Sequence, residues 1–156
     1  MTAITRAGML RSLLTGLAGA GLLTSQAAAQ TGKKHRVVLH VDKNDPAVMN
    51  QALNNARNVF DYYRDKHEDV ELELVAYGPG LHMLRDDTSP VKKRIQELID
   101  ASYPSKVVFS ACNNTKQAME AHEGHPIPIV PQATIVPAGV VRLMELQEQG
   151  YSYIKP

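Results

Sequence analysis

Short apolar runs rich in β-branched residues alternate along this chain with longer stretches in which apolar residues recur every three or four positions. The clearest runs are HRVVLHV at 35–41, VELELVAY at 70–77 and KVVFSA at 106–111. Such runs are typical of buried strands. Strand and helix patterns alternate five times, and crossovers of this length join parallel strands. The sequence therefore predicts an α/β fold, a three-layer α/β/α sandwich around a five-stranded, mainly parallel sheet.

Helices are predicted between these strands. Asp45 followed by Pro46 is a typical helix start, because Asp caps free backbone N–H groups and Pro fits the first helical position. The apolar spacing continues from there to about Lys66. The remaining helices are predicted at 91–101, 116–122 and 139–149, and two further short strands at 133–136 and 151–154.

The residues best suited to binding or catalysis lie at the carboxyl ends of the predicted strands. Parallel strands end at the same edge of a sheet, and open α/β sheets bind ligands at that edge. Asp42, the turn Gly78–Pro79–Gly80, Cys112 and Pro137 all fall there. We therefore expect the functional site around these positions.

Residues 1–29 have the layout of a secretory signal peptide. They contain no Asp or Glu, and two arginines precede a soft apolar run at 13–23, which is followed by the Ala-x-Ala cleavage pattern at 27–29. The run is shorter than the roughly 20 apolar residues that span a bilayer, and an uncleaved amphipathic anchor is the alternative. We expect cleavage after Ala29, a single domain over residues 30–156, a periplasmic location and no stable membrane insertion of the mature protein.

Charge and cysteine content exclude several classes of function. Loss of residues 1–29 removes two of the 17 basic residues and none of the 16 acidic residues. The mature chain is therefore nearly neutral and lacks the positive excess of a nucleic-acid-binding protein. A single cysteine excludes an internal disulfide and any Cys-x-x-Cys zinc or dithiol site. In an oxidising compartment this cysteine is buried and inert, a link between subunits, or a reactive group.

Cys112 is the strongest candidate for chemistry. It is predicted where the third strand passes into a helix capped by Asn113, Asn114 and Thr115. The free N–H groups and the partial positive charge of a helix N-terminus favour a thiolate over a thiol. A thiolate is the nucleophile that attacks sulfane sulfur or a disulfide. The alternative is a small buried apolar side chain, since free cysteines are often buried.

The histidines are weaker candidates. His82 follows the Gly-Pro-Gly turn and is expected near Cys112 if the second and third strands are neighbours, as a base or an anion contact. His122 and His125 are the candidate metal pair. Zinc requires a third protein ligand, and Pro126 interrupts the helical face. A solvated helix end is therefore favoured, and no metal or cofactor is predicted.

Four segments of the chain resemble one known family. They are ALNNARNVF at 52–60, AYGPGLHML at 76–84, FSACNNT at 109–115 and the tail at 136–156. Together they resemble the DsrE/DsrF-like family of sulfur-metabolism proteins, and within it a single-domain branch. The resemblance covers about residues 36–156.

The resemblance implies an α/β/α sandwich with a five-stranded parallel sheet that assembles into trimers or hexamers. It also implies that a cysteine after a central strand carries sulfur as a persulfide and passes it between proteins, and Cys112 occupies the matching position. Sulfur carriers of this family work in cytoplasmic multi-protein relays, whereas this chain is predicted to be exported.

We therefore expect an exported sulfur carrier or sulfurtransferase in which Cys112 accepts sulfane sulfur from a donor and passes it to an acceptor. Backbone amides of residues 113–115 are expected to stabilise the sulfur anion. Gly78 and Gly80 are expected to let the donor approach closely, and His82 to contact it. The alternative is a non-catalytic oligomeric protein that binds a small ligand or a metal and in which Cys112 is inert.

Overall fold

A parallel sheet of five strands organises the computed structural model, which describes residues 34–156. The predicted signal peptide at residues 1–29 lies outside the described residues. All neighbouring strands of the sheet pair in parallel, which confirms the predicted α/β architecture. The spatial order is β4-β3-β2-β1-β5. The strands are β1 (His35–Val41), β2 (Val70–Ala76), β3 (Lys106–Cys112), β4 (Ala133–Val136) and β5 (Ser152–Ile154).

Four α-helices and one 3₁₀ segment connect the strands. The first helix starts as predicted, because the Asp45 side chain accepts a hydrogen bond of 2.7 Å from the N–H of Ala47. No helix among the described residues is long and apolar enough to cross a membrane. The helices are α1 (Pro46–Arg64), α2 (Lys92–Ser102), α3 (Asn113–Glu123) and α4 (Gly139–Glu148), and the 3₁₀ segment is Gly78–Leu84.

The helices are divided unequally between the two faces of the sheet. Residues of α1 and α2 fill the larger core on one face, and Met119 of α3 packs against it. On the opposite face α4 packs alone, with Leu143 and Leu146 against Val38 and Val75 of the sheet. The predicted three-layer sandwich is therefore present, and within residues 34–156 one of its outer layers is a single helix.

The strand order explains this division. From β1 to β4 the chain adds neighbouring strands in one direction, and right-handed crossovers place the intervening helices on the same face. The connection from β4 to β5 returns across the whole sheet, and its helix, α4, lies on the other face. The neighbouring strands β3 and β4 are therefore followed by helices that leave in opposite directions.

A buried ion pair attaches α4 to the middle of the sheet. Glu73 in β2 is only 3% exposed. Arg142 of α4 donates two hydrogen bonds of 2.7 Å to the two oxygens of this carboxylate, and the hydroxyl of Ser110 in β3 donates a third at 2.6 Å. Arg142 lies one helical turn from Gly139, the first residue of α4. The ion pair therefore fixes the N-terminal turn of this helix on the sheet.

We expect Arg142→Met to lower the free energy of unfolding by about 3 kcal/mol, because Glu73 then remains buried without its charged partner. The matched control is Arg36→Met, which removes the cation of the exposed ion pair with Glu71. Its expected cost is below about 1 kcal/mol. Urea unfolding followed by circular dichroism measures both. Equal losses in the two variants would contradict a special contribution from the buried pair.

Candidate functional site around Cys112

Cys112 is both the last residue of β3 and the N-cap of α3. Its backbone is extended, with φ −70° and ψ 117°, so the helix begins at the next residue. The sequence-based boundary was wrong here: Asn113, Asn114 and Thr115 form the first helical turn and do not precede it as a cap. The strand enters the helix without a loop residue. The N–H groups of the first turn, which have no partner within the helix, therefore lie close to the cysteine.

The cysteine lies at the point where the two helix directions diverge. Cys112 of β3 pairs with Val136 of β4, and the helices that follow these strands cover opposite faces. Open α/β sheets bind ligands in the crevice at such a switch point. The N–H of Asn114 donates to the carbonyl of Pro137 at 3.3 Å, which joins the start of α3 to the segment that leads into α4. Two helix N-termini therefore meet at one thiol.

Gly139 brings the second helix into contact with the cysteine. A Cβ at this position would lie 3.2 Å from the Cβ of Cys112 and 2.9 Å from the Cβ of Tyr77. Only glycine therefore allows the start of α4 to lie this close to Cys112. Sequence analysis identified Pro137 at the end of β4 and missed Gly139. The available signal was a glycine at the first position of a predicted helix, since glycine is a poor helix former.

The surroundings of the Cys112 sulfur favour its charged form. Burial raises the pKa of the thiol, but hydrogen-bond donors outweigh burial and bring the pKa below its ordinary value. The donors are the hydroxyl of Thr115 and the backbone N–H groups of Gly139, Thr115 and Asn114. The Cys112 side chain accepts no capping hydrogen bond from α3 in this structure. The N–H groups of the first turn therefore act on the sulfur as nearby dipoles.

Thr115 connects the cysteine with the segment after β2. Its Oγ1 accepts a hydrogen bond of 2.9 Å from the N–H of Gly78, and this leaves its hydroxyl proton for the sulfur of Cys112. Gly78 has a φ of 53°, in the left-handed region that favours glycine. The Gly-Pro-Gly turn thus supports the thiolate through Thr115.

A cavity of about 660 Å³ opens between the 3₁₀ segment and α3. Of the predicted site residues, Gly78, His82, Asn114 and Thr115 line it. Thr115 and Asn114 are also donors to the thiolate, so the cavity and the cysteine share these two residues. The structure therefore brings four predicted residues together around this space, whose lining does not include Cys112 itself.

The other predicted residues have different positions. Gly80 is buried, and a Cβ there would lie 2.2 Å from the carbonyl oxygen of Val41. Glycine is therefore needed at this position for the close packing of the 3₁₀ segment against the end of β1. Asn113 is half-buried in the first turn of α3. His82 lines the cavity, and its Nδ1 pairs with the hydroxyl of Thr88 at 2.9 Å.

Arg85 fixes the two walls of the cavity to each other. Its guanidinium is 2% exposed and forms two hydrogen bonds with Asp87, just after the 3₁₀ segment, and two with Glu123, at the end of α3. Hydrogen bonds with Asp87 and Glu123 raise the pKa of Arg85, and the same contacts lower the pKa of both carboxyls. All three groups therefore stay charged. Sequence analysis missed this cluster.

His122 and His125, the candidate metal pair, lie in different surroundings. His122 is exposed and lines the cavity, whereas the Nε2 of His125 lies 3.4 Å from a carboxylate oxygen of Glu123. Across residues 34–156, no three His, Cys, Asp or Glu side chains are close enough together to hold a metal ion.

A neutral aromatic wall lies on the α4 side of the cysteine. Tyr77, which contacts Gly139, stacks on the ring of His40 with the centroids 4.5 Å apart. His40 is 4% exposed, and its Nδ1 pairs with the hydroxyl of Tyr153 at 2.8 Å. Burial lowers the pKa of His40, and the opposing effect of Asp42 is smaller. These aromatic rings therefore pack on the α4 side of Cys112 without placing a positive charge there.

Comparison with known proteins agrees with this geometry. A sequence model of the DsrE/DsrF-like family matches residues 18–156. The chain belongs to the DsrE/DsrF-like family. Membership associates this DsrE/DsrF-like protein with sulfur metabolism and confirms the family predicted from its four segments.

A solved structure supports the fold of this DsrE/DsrF-like protein. It is that of a protein of unknown function, MTH1491, from Methanobacterium thermoautotrophicum. The two sequences are 31% identical, and the match covers 78% of this chain and 99% of that chain with a TM-score of 0.64. No curated protein is significantly similar to the chain. The comparisons thus give the family and the fold, and the residues of the site must give the chemistry.

We expect Thr115→Val to raise the pKa of Cys112, because one hydrogen bond to the thiolate is lost. Such a bond to a charged group contributes about 1.5 kcal/mol. The resulting fall in thiolate fraction, about tenfold, is partly offset because a more basic thiolate is more nucleophilic. Alkylation by iodoacetamide below the pKa should therefore slow about threefold, as measured by intact mass against pH. Thr134→Val, at an exposed position of β4, is the control, and identical pH profiles for both variants would contradict the role of Thr115.

Proposed function

We propose that this protein is an exported sulfur carrier in which Cys112 accepts a sulfane sulfur atom, holds it as a persulfide and passes it to an acceptor thiol. The observation that supports this most is the position of Cys112 where the N-termini of α3 and α4 meet, with a lowered pKa despite its burial. Family membership supports sulfur as the cargo.

The proposed transfer needs one nucleophile and no external oxidant. The Cys112 thiolate attacks the outer sulfur of the donor. A new S–S bond forms while the bond between the two donor sulfurs breaks, and its electron pair leaves with the donor thiolate. A second thiolate, that of the acceptor, then removes the outer sulfur from Cys112 in the same type of displacement.

The N–H groups near the sulfur fit both stages of this transfer. Before attack, the donors from Asn114, Thr115 and Gly139 stabilise the thiolate. After attack, negative charge lies on the persulfide, and preorganised N–H groups stabilise such a charge without reorganisation. Cys112 is 5% exposed, so a bound persulfide is shielded from thiols and oxidants that do not fit the site.

The first test is the intact mass of the protein as isolated and after exposure to polysulfide or thiosulfate. We expect the wild type to gain the mass of one sulfur atom, because its thiolate displaces a donor, and to lose it on reduction. Cys112→Ser should gain nothing, since its hydroxyl is not a comparable nucleophile. An unmodified Cys112 in every sample would overturn the carrier function and favour the non-catalytic binding protein with an inert cysteine.

We also propose that the carrier acts in the periplasm as a homo-oligomer, a trimer or hexamer. The features of residues 1–29 support export. Assembly is supported by Val140, Val141 and Met144 of α4, which are 54%, 47% and 55% exposed. A contiguous apolar surface of this kind is typical of interaction sites, and here it belongs to α4, the one helix on its face of the sheet among the residues that the structure describes.

We expect Met144→Glu to reduce the molar mass measured by light scattering from that of an oligomer to that of a monomer, because a charge cannot be buried in an apolar interface without a partner. Glu97→Met, at an exposed position of α2, is the control for a surface change on the other face. A monomeric wild type, or an unchanged mass for Met144→Glu, would contradict assembly through α4.

A further inference from the structure

The cavity between the 3₁₀ segment and α3 is a space that the proposed sulfur transfer does not use. Its lining does not include Cys112, on which the sulfur is carried. Its volume is about 660 Å³, and it is widely open to solvent. Small-molecule sites bury most of the surface of their ligand, and a cavity this open does not. The shape therefore favours part of a larger molecule.

The cavity is elongated, because its lining follows α3 for almost the whole length of the helix. The stretch from residue 114 to residue 123 is about 14 Å long at the α-helical rise, which matches about four residues of extended chain. No residue of α3 is buried, so the rest of the described chain leaves this side of the helix accessible. The lining residues of α3 recur in pairs on successive turns: Asn114, Thr115, Ala118, Met119, His122 and Glu123.

The lining offers both apolar contacts and hydrogen bonds. Pro79 and Ala118 are exposed in it, together with the partly buried Met119. The side-chain amides of Asn44 and Asn114 also line the cavity, and each amide can donate and accept hydrogen bonds, as a peptide backbone does. This combination suits an extended peptide segment that carries an apolar side chain.

One end of the cavity is negatively charged. Glu123 lines it, and Glu123 and Asp87 both pair with Arg85, so that two carboxylates face one guanidinium. The guanidinium is 2% exposed, whereas the side chains of Asp87 and Glu123 are 33% and 29% exposed. The positive charge is therefore buried beneath the negative charges. The lining, which belongs entirely to residues 34–156, includes no lysine or arginine. A cleft of this kind attracts groups of the opposite charge.

We propose that this cavity is a docking site for a basic segment of a partner protein. The segment is an extended stretch of about four residues, with an apolar side chain on Ala118 and Met119 and a lysine or arginine beside Glu123. The length of the cavity and the charge at its end support this occupant. The inference goes beyond the proposed function, because it concerns recognition of a partner and requires no sulfur on Cys112.

The first experiment selects ligands from a library of random peptides displayed on phage, after removal of phages that bind Ala118→Phe, which fills the cavity. Ala121→Phe is the control, at an exposed position of α3 outside the lining. We expect the enriched peptides to carry lysine or arginine close to an apolar side chain, and to bind the wild type and Ala121→Phe equally. Absence of enrichment, or enriched peptides without an excess of positive charge, would overturn the docking site.

The second experiment measures the contribution of charge by fluorescence anisotropy with the most enriched peptide. Glu123→Gln should weaken binding about fivefold, because the carboxylate beside the basic side chain is lost. Glu120→Gln, on the same helix but outside the lining, should have little effect. Equal effects of the two variants would overturn the charge complementarity. Displacement of the peptide by an equal concentration of spermidine would identify a site for small cations and overturn the docking of a partner segment.

Discussion

The meeting of two helix N-termini at one sulfur atom is the constraint on which the site depends. It follows from the strand order, because β3 and β4 are neighbours whose following helices cover opposite faces. The close approach is possible only with a glycine at position 139. The helix that begins there, α4, is the sole helix on its face among the described residues. The buried pair of Glu73 with Arg142 holds this helix in its position on the sheet. A contact deep in the sheet therefore determines whether a backbone N–H reaches Cys112.

The reactivity of Cys112 is set by two opposing effects. Burial disfavours a thiolate, and for a fully buried group it can shift a pKa by several units. Hydrogen bonds to a charged group contribute about 1.5–3 kcal/mol each, so several donors are needed to reverse the effect of burial. The direction of the shift in the pKa of Cys112 shows that the donors prevail. Because three of them are backbone N–H groups, the helix geometry matters here as much as the identity of the neighbouring side chains.

The sequence was sufficient to predict the fold but only part of the site. The bounds of β1 agree with the predicted run because an apolar β-branched segment between polar residues is typical of a buried strand. The bounds of β4 also agree, although this edge strand has no buried residue. The start of α3 was misplaced because Cys112 lacks a typical capping side chain, so Asn113 was taken as the cap. Arg85 with Glu123, 38 residues apart, was missed because no local pattern records a contact between distant segments.

The groups that stabilise the thiolate are dipoles, and this bears on how sulfur is released. A lysine or arginine beside the sulfur would stabilise the thiolate, but it would also hold the persulfide anion as an ion pair. The N–H groups around Cys112 supply partial charges in fixed positions, which require no reorganisation during the displacement. His40, on the α4 side, stays neutral because burial lowers its pKa. The site therefore favours formation of the nucleophile without the strong charge that would slow transfer of the sulfur to an acceptor.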